Sequence, residues 1–126
     1  MKLISLNIRG LGGDVKWMYI RELIHKEQAD MLCVQETKLA SLNAAKCFDL
    51  WGSNDISWVH RGTYKEGRGI LTMWDNKVFK SDKNVEGKGF VLVEGVYSNS
   101  ASSTAVKVLV MNIYAPWSNK DSCGRK

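Results

Sequence analysis

Apolar positions recur along this chain first with a period near two, then near three to four, then near two again. Leu3, Ile4, Leu6 and Ile8 make residues 2–8 a buried first strand. Arg9-Gly10-Leu11-Gly12-Gly13 breaks it, and Asp14 is the expected N-cap of a helix. Within that helix Trp17, Ile20, Leu23 and Ile24 recur at spacings of three and four, which marks one apolar face. Lys16, Arg21, Glu22, Lys26 and Glu27 take the other side. The unbroken apolar run Met31-Leu32-Cys33-Val34 then predicts a buried strand over residues 31–35. Strand, helix and strand with a short return define a βαβ unit.

The pattern changes after residue 40. Residues 41–48 predict a short helix with Ser41 as its cap. Residues 56–60, 69–74, 78–81, 89–97 and 105–114 all read as strands. Asp75-Asn76 and Glu86-Gly87 read as turns, and residues 98–103 as a polar loop. Five strands in a row with hairpin-length gaps imply an antiparallel section. Pro116 halts the last strand, and residues 118–126 read as a loop-like tail. The expectation is one domain over residues 1–117 followed by that tail.

Composition narrows the class. Hydrophobic residues make up 44% and charged residues 25%, the balance of a chain that packs a core and not of a disordered one. The net charge of +5 favours an anionic partner such as nucleic acid. Cys33, Cys47 and Cys123 form no C-x-x-C pair, and Cys33 lies inside an apolar run. No disulfide partner is expected, and an intracellular setting, nucleus or cytoplasm, is the default. No apolar stretch approaches membrane-spanning length and no signal peptide is visible, so no membrane partner is expected.

Three polar residues stand near the ends of three apolar runs: Asn7, Glu36 and Tyr114. Open α/β sheets place ligands beyond the carboxyl ends of their strands. A carboxylate there offers anionic oxygen to Mg²⁺, which prefers one or two carboxylates and keeps several waters. Asn7 can accept through its carbonyl and donate through its amide, and Tyr114 can donate its hydroxyl to a phosphate oxygen. Arg9 and Lys38 can meet the anion electrostatically. Arg61, Lys65 and Arg68, with Gly67 and Gly69 around Trp58 and Tyr64, form a second basic stretch suited to a nucleic-acid backbone. The bland reading of that stretch is a solvated hairpin with Trp58 in the core. The glycines before the first helix lack the spacing of a nucleotide-binding loop.

Four segments occur together and in order: Ser5-Leu6-Asn7-Ile8-Arg9-Gly10-Leu11, Gln35-Glu36-Thr37-Lys38-Leu39, Gly67-Arg68-Gly69-Ile70-Leu71 with Trp74, and Asn112-Ile113-Tyr114-Ala115-Pro116. With them the chain resembles the endonuclease/exonuclease/phosphatase superfamily, the DNase I-like fold, over residues 1–117. The nearest flavour is the apurinic-type endonuclease of LINE-type non-LTR retrotransposons. The resemblance implies an α/β fold, the N-terminal half of a four-layered α/β sandwich whose mixed, largely antiparallel sheets are flanked by helices. It implies Mg²⁺-dependent hydrolysis of a DNA phosphodiester, with Mn²⁺ as a substitute metal. It implies that Glu36 binds the metal, that Asn7 helps organise the metal or phosphate, and that Tyr114 contacts the scissile phosphate.

The family pattern also requires an Asp-x-Asn motif in the second half of the domain and a late Ser-Asp-His motif. Neither is found in that context here, and the chain is about half the length the fold needs. His25 and His60 lack the family context and read as structural or surface residues; Asp75 and Asp121 are poor substitutes. The expectation is a truncated endonuclease domain, a nuclease by descent with little turnover alone, whose intact ancestor carried a C-terminal half or a reverse-transcriptase region. Two alternatives stay open. One is a non-catalytic nucleic-acid-binding remnant, and the other is a phosphatase or exonuclease branch of the same superfamily.

Overall fold

Strands β1 (Leu3–Asn7) and β2 (Met31–Gln35) run parallel, joined by helix α1 (Asp14–Glu27), as the βαβ pattern requires. Their register pairs Leu3 with Met31 and Asn7 with Gln35, so both strands finish side by side. Helix α2 (Ala44–Trp51) follows, then β3 (Ile56–Arg61), β4 (Ile70–Asp75), β5 (Phe79–Gly87), β6 (Phe90–Asn99) and β7 (Ser102–Ile113). The computed structural model describes residues 1–63, 68–99 and 102–114, without the side chains of Ser102 and Ser103. Tyr64, Lys65 and Gly67 of the basic stretch lie outside the described residues, as do Pro116, the tail, Asp121 and Cys123.

The strands form two sheets. One has the order β1-β2-β4-β3, with β4 antiparallel to both neighbours; the other is the antiparallel meander β5-β6-β7. Alternation sorts the side chains of β2 and β4 between two cores. Leu32, Val34, Leu71 and Met73 pack with Ile20 and Ile24 of α1 and Cys47, Leu50 and Trp51 of α2. Met31, Ile70 and Trp74 face the other way and pack with Phe79, Val91 and Val93 of the second sheet. Trp74 meets Phe79 edge to face at 5.7 Å. The described residues therefore supply three layers in the order helices, sheet, sheet, part of the expected four-layered sandwich. Among them no helix is long and apolar enough to cross a membrane.

Several boundaries differ from those expected. Gly13, not Asp14, caps α1 and does so without a side-chain hydrogen bond; Asp14 is the first helical residue, where its carboxylate faces the positive helix end. Asn43, not Ser41, caps α2 and accepts from the Lys46 backbone N–H at 2.8 Å. The helix therefore runs on to Trp51, because Cys47, Leu50 and Trp51 form its buried stripe. Strand β5 continues through Lys83, Asn84 and Glu86, so Glu86-Gly87 ends a strand and the turn is Lys88-Gly89. Its charged and polar residues are tolerated because β5 is an edge strand exposed along most of its length. The expected loop at 98–103 is shorter, since Asn99 pairs with Ser102.

The outer face of the meander stays apolar and open. Leu109, Met111 and Ile113 are exposed on β7, and Ile113, Met111 and Leu109 pair in register with Phe90, Leu92 and Glu94 of β6.

Candidate functional site

The site is assembled where β1 and β2 end. Because the two strands are parallel and in register, the turns that follow them are knit together. The Ile8 N–H donates to the Gln35 carbonyl (3.0 Å), Gly10 to that of Glu36 (2.7 Å) and Leu11 to that of Thr37 (2.8 Å). On the other side, Thr37 donates to the Gly69 carbonyl (3.1 Å) and Lys38 to that of Arg68 (2.6 Å). Residues 36–38 are thus a hook held from both flanks.

That support sustains unusual backbone geometry. Arg9, Glu36 and Lys38 all adopt left-handed conformations, with φ of 54°, 58° and 56°. Such residues each cost about 1–3 kcal/mol and gather where surrounding structure over-determines them, typically at functional sites.

Glu36 is the centre of the cluster. Its side chain is only 12% exposed. The Asn7 amide donates to it at 2.9 Å, and the Tyr114 hydroxyl lies close enough to help hold it as an anion. Arg68 stands 3.7 Å from the carboxylate and Lys38 4.0 Å. The Asn7 hydrogen bond holds the Glu36 carboxyl below its usual value against the opposing effect of desolvation, and Arg68, Lys38 and the Tyr114 hydroxyl add to the lowering. The group is an anion at neutral pH.

Five of the seven residues singled out from the sequence, Asn7, Glu36, Tyr114, Lys38 and Arg68, therefore meet in one place. Arg9 is exposed next to them, and its N–H donates to Asn7 Oδ1 at 3.1 Å. Arg61 is placed differently. It reaches Glu86 at 3.2 Å with its side chain 16% exposed, so it ties β3 to β5 across the two sheets. Trp58 packs edge to face on Phe48, half-buried against the first core.

Tyr114 arrives at Glu36 from the other sheet. Its N–H donates to the Gly89 carbonyl at 2.8 Å. Gly89 has φ +80°, and a Cβ there would stand 2.8 Å from the Tyr114 carbonyl oxygen, so this turn needs glycine to approach the strand.

Four partners of the cluster were not singled out as site residues from the sequence. Gln35 and Asn112 hydrogen-bond each other between the sheets. Thr37, fully buried, shares a hydrogen bond with His60 Nε2 at 3.2 Å. Burial lowers the His60 pKa, which leaves the ring neutral at pH 7. Gln35, Thr37 and Asn112 lie inside the quoted segments, but only the meeting of the sheets gives them partners. His60 carried no signal of its own.

The donor set has the chemistry of part of a divalent-cation site. Glu36 offers carboxylate oxygens and Asn7 a carbonyl oxygen with one acceptor position already used by Arg9. Hard oxygen donors suit Mg²⁺ or Mn²⁺. They form part of a shell, not a whole one, since no group of three His, Cys, Asp or Glu comes together among the described residues. The tripeptide Asp82-Lys83-Asn84 spells Asp-x-Asn, yet it lies upstream of Tyr114, exposed at a bulge of edge strand β5. Cys33 and Cys47 are free and buried; burial pushes both thiols up to about 11, so neither is a ready thiolate ligand.

This arrangement of two face-to-face sheets with the polar cluster at their rim defines the class. The chain has the DNase I-like fold, over part of its extent. It is similar to the AP endonuclease LMAP from Leishmania major, with 23% identity and a TM-score of 0.56 over 89% of this chain and 39% of that one. It is similar to the catalytic domain of APE2 from Xenopus laevis (16% identity, TM-score 0.63, 99% of this chain and 48% of that one). It is also similar to truncated TDP2 from Caenorhabditis elegans (17%, 0.58, 97% and 49%). The chain thus spans less than half the length of each. No family model and no curated protein matches the sequence. At these identities the likeness is one of fold, and it agrees with the superfamily that the four ordered segments resemble.

Proposed function

We propose that this chain carries the metal- and phosphate-facing part of a DNA-nicking phosphodiesterase site, of the kind found in LINE-type retrotransposon endonucleases. The observation that supports this most is the Glu36 carboxylate fixed just past the end of β2 by the Asn7 amide at the end of β1, with Lys38 and Arg68 beside it. Glu36, with the Asn7 carbonyl, would hold Mg²⁺ or Mn²⁺. The bound metal would supply charge neutralisation at a phosphoryl oxygen.

The chain's own residues supply the rest. Lys38 and Arg68 flank the carboxylate and attract the DNA backbone, with Arg9 exposed beside them. Tyr114 presents a hydroxyl near Glu36 that can donate to a phosphate oxygen. Asn7 holds Glu36 in place through its amide while its oxygen is oriented by the Arg9 N–H. A group to activate the attacking water is not among the clustered residues. The 126-residue chain is therefore expected to bind DNA and to turn it over slowly or not at all. A group that activates the attacking water would have to come from residues outside this cluster.

Nicking of supercoiled plasmid in Mg²⁺, alongside DNA binding as a function of salt, tests this reading. Binding should weaken steeply with salt, and Lys38→Ala or Arg68→Ala should each reduce the log–log slope by about 1. Vigorous nicking that survives Glu36→Ala would refute the site. A second reading, a binding remnant without catalysis, is favoured by the same two cations beside Glu36. It requires salt-sensitive DNA binding with no Glu36-dependent nicking in Mg²⁺.

A further inference from the structure

Between the two sheets Met31, Ile70, Trp74, Phe79, Val91 and Val93 form an apolar core. Set into it, on the same faces of β2, β4 and β7, are Gln35, Thr72 and Asn112. Asn112 is 2% exposed. Its side-chain amide donates to the Leu71 carbonyl at 2.9 Å and to Thr72 Oγ1 at 3.1 Å. Its carbonyl accepts from Gln35 Nε2 at 2.7 Å, and Gln35 Nε2 also donates to Ser5 Oγ at 3.2 Å. One buried side chain thus contacts β2 and β4 while belonging to β7.

A buried amide in a sheet-on-sheet interface is costly unless satisfied, and here both N–H groups and the oxygen are used. An apolar side chain would fill the space with less exacting geometry, but it would let β7 slide over the first sheet. The position of the latch gives it a purpose. Gln35 immediately precedes Glu36, and Asn112 lies two residues before Tyr114 on the same face of its strand. The Gln35–Asn112 hydrogen bond therefore clamps the two sheets next to the place where Tyr114 comes close to Glu36.

We infer that Asn112 is a positioning residue, which through Gln35 and the β4 backbone sets the register of the second sheet so that Tyr114 reaches Glu36. The inference rests on the proposed reading of the Asn7–Glu36–Tyr114 cluster as the working site, and adds the device that holds its two halves together. Asn is specific here. Asp would present no N–H to Leu71 and Thr72, and Leu would satisfy none of the three partners.

The test is a nuclear Overhauser contact between the Tyr114 ring and the Glu36 side chain, measured in the full chain. Gln35→Met keeps side-chain length and removes the donor to Asn112; Asn112→Leu removes the whole latch. Ile24→Ala, which truncates the core on the opposite face of the first sheet, controls for general destabilisation. The contact should be lost in Gln35→Met and Asn112→Leu and retained in Ile24→Ala. Retention in folded Gln35→Met overturns the proposal, as does loss in Ile24→Ala to the same extent. Should Asn112→Leu fail to fold, Gln35→Met alone decides. A separate Mn²⁺ titration of the wild-type chain tests the reading beneath. If Mn²⁺ leaves Glu36 untouched while the two variants lose the contact, the metal reading fails and the latch stands.

Discussion

Replacing Gly69 by alanine should be among the most damaging single changes in this chain, although it adds one methyl group. Gly69 has φ +89°, and a Cβ there would lie 2.0 Å from Thr37 Oγ1 and 3.1 Å from the Lys38 backbone nitrogen. The left-handed backbone alone costs an L-residue about 1–2 kcal/mol. Putting the Thr37 methyl where the hydroxyl is would collide as well, so relief requires Thr37 to leave its present rotamer altogether. Thr37 is fully buried and must give up its hydrogen bond to His60, worth about 1 kcal/mol or more. Together these predict a loss of about 2–4 kcal/mol, a large share of the total stability of an ordinary domain.

Urea denaturation followed by tryptophan fluorescence measures the effect, and a double-mutant cycle separates its parts. In the Thr37→Ala background the hydroxyl is gone, while the left-handed backbone and the close approach to the Lys38 nitrogen remain, so Gly69→Ala should cost less there, about 1–2 kcal/mol. A Gly69→Ala midpoint indistinguishable from wild type would refute the reasoning. Equal costs in both backgrounds would show that the collision contributes nothing.

His60 should give the chain an acid-side weakness. Its folded pKa is lowered below the usual 6.5, chiefly by burial and despite the opposing charge of Glu86. The unfolded chain then binds the proton first, so this stability is fully present above pH 6.5 and is lost as pH falls through the lowered folded value. The His60→Gln variant should lack that component in urea midpoints measured from pH 8 to pH 5, and identical pH profiles for the two would contradict it. On the outer face of the meander, Leu109 and Met111 are 63% and 51% exposed in an apolar patch. Leu109→Lys with Met111→Lys should raise the concentration at which the chain stays monodisperse in light scattering; no change would mean that the patch does not drive association.

Much of the site could be read from the sequence because its key residue ends an unbroken apolar run. Met31 to Val34 can only be an interior strand, and Glu36 follows it directly. Parallel pairing with β1 then brings Asn7 alongside. The far half of β5 was not legible, since the polar residues from Ser81 to Glu86 lack the alternation that marks a half-buried strand. The start of α2 was ambiguous because Ser41 and Asn43 are both competent caps; the buried positions Cys47, Leu50 and Trp51 decide between them. Arg61 reads as a free basic residue until β5 places Glu86 opposite it. Asn112 and His60 depend on contacts across 77 and 23 residues, which no local pattern encodes.

The central claim is that Glu36, with Asn7, forms part of a divalent-cation site at the rim of the two sheets. Paramagnetic broadening by Mn²⁺ at low stoichiometry, mapped over the assigned side-chain signals, addresses it most directly. Signals of Glu36, Asn7 and Tyr114 should broaden first in the wild-type chain, and Glu36→Gln should remove the effect. Broadening that begins elsewhere, or that persists unchanged in Glu36→Gln, would contradict the account.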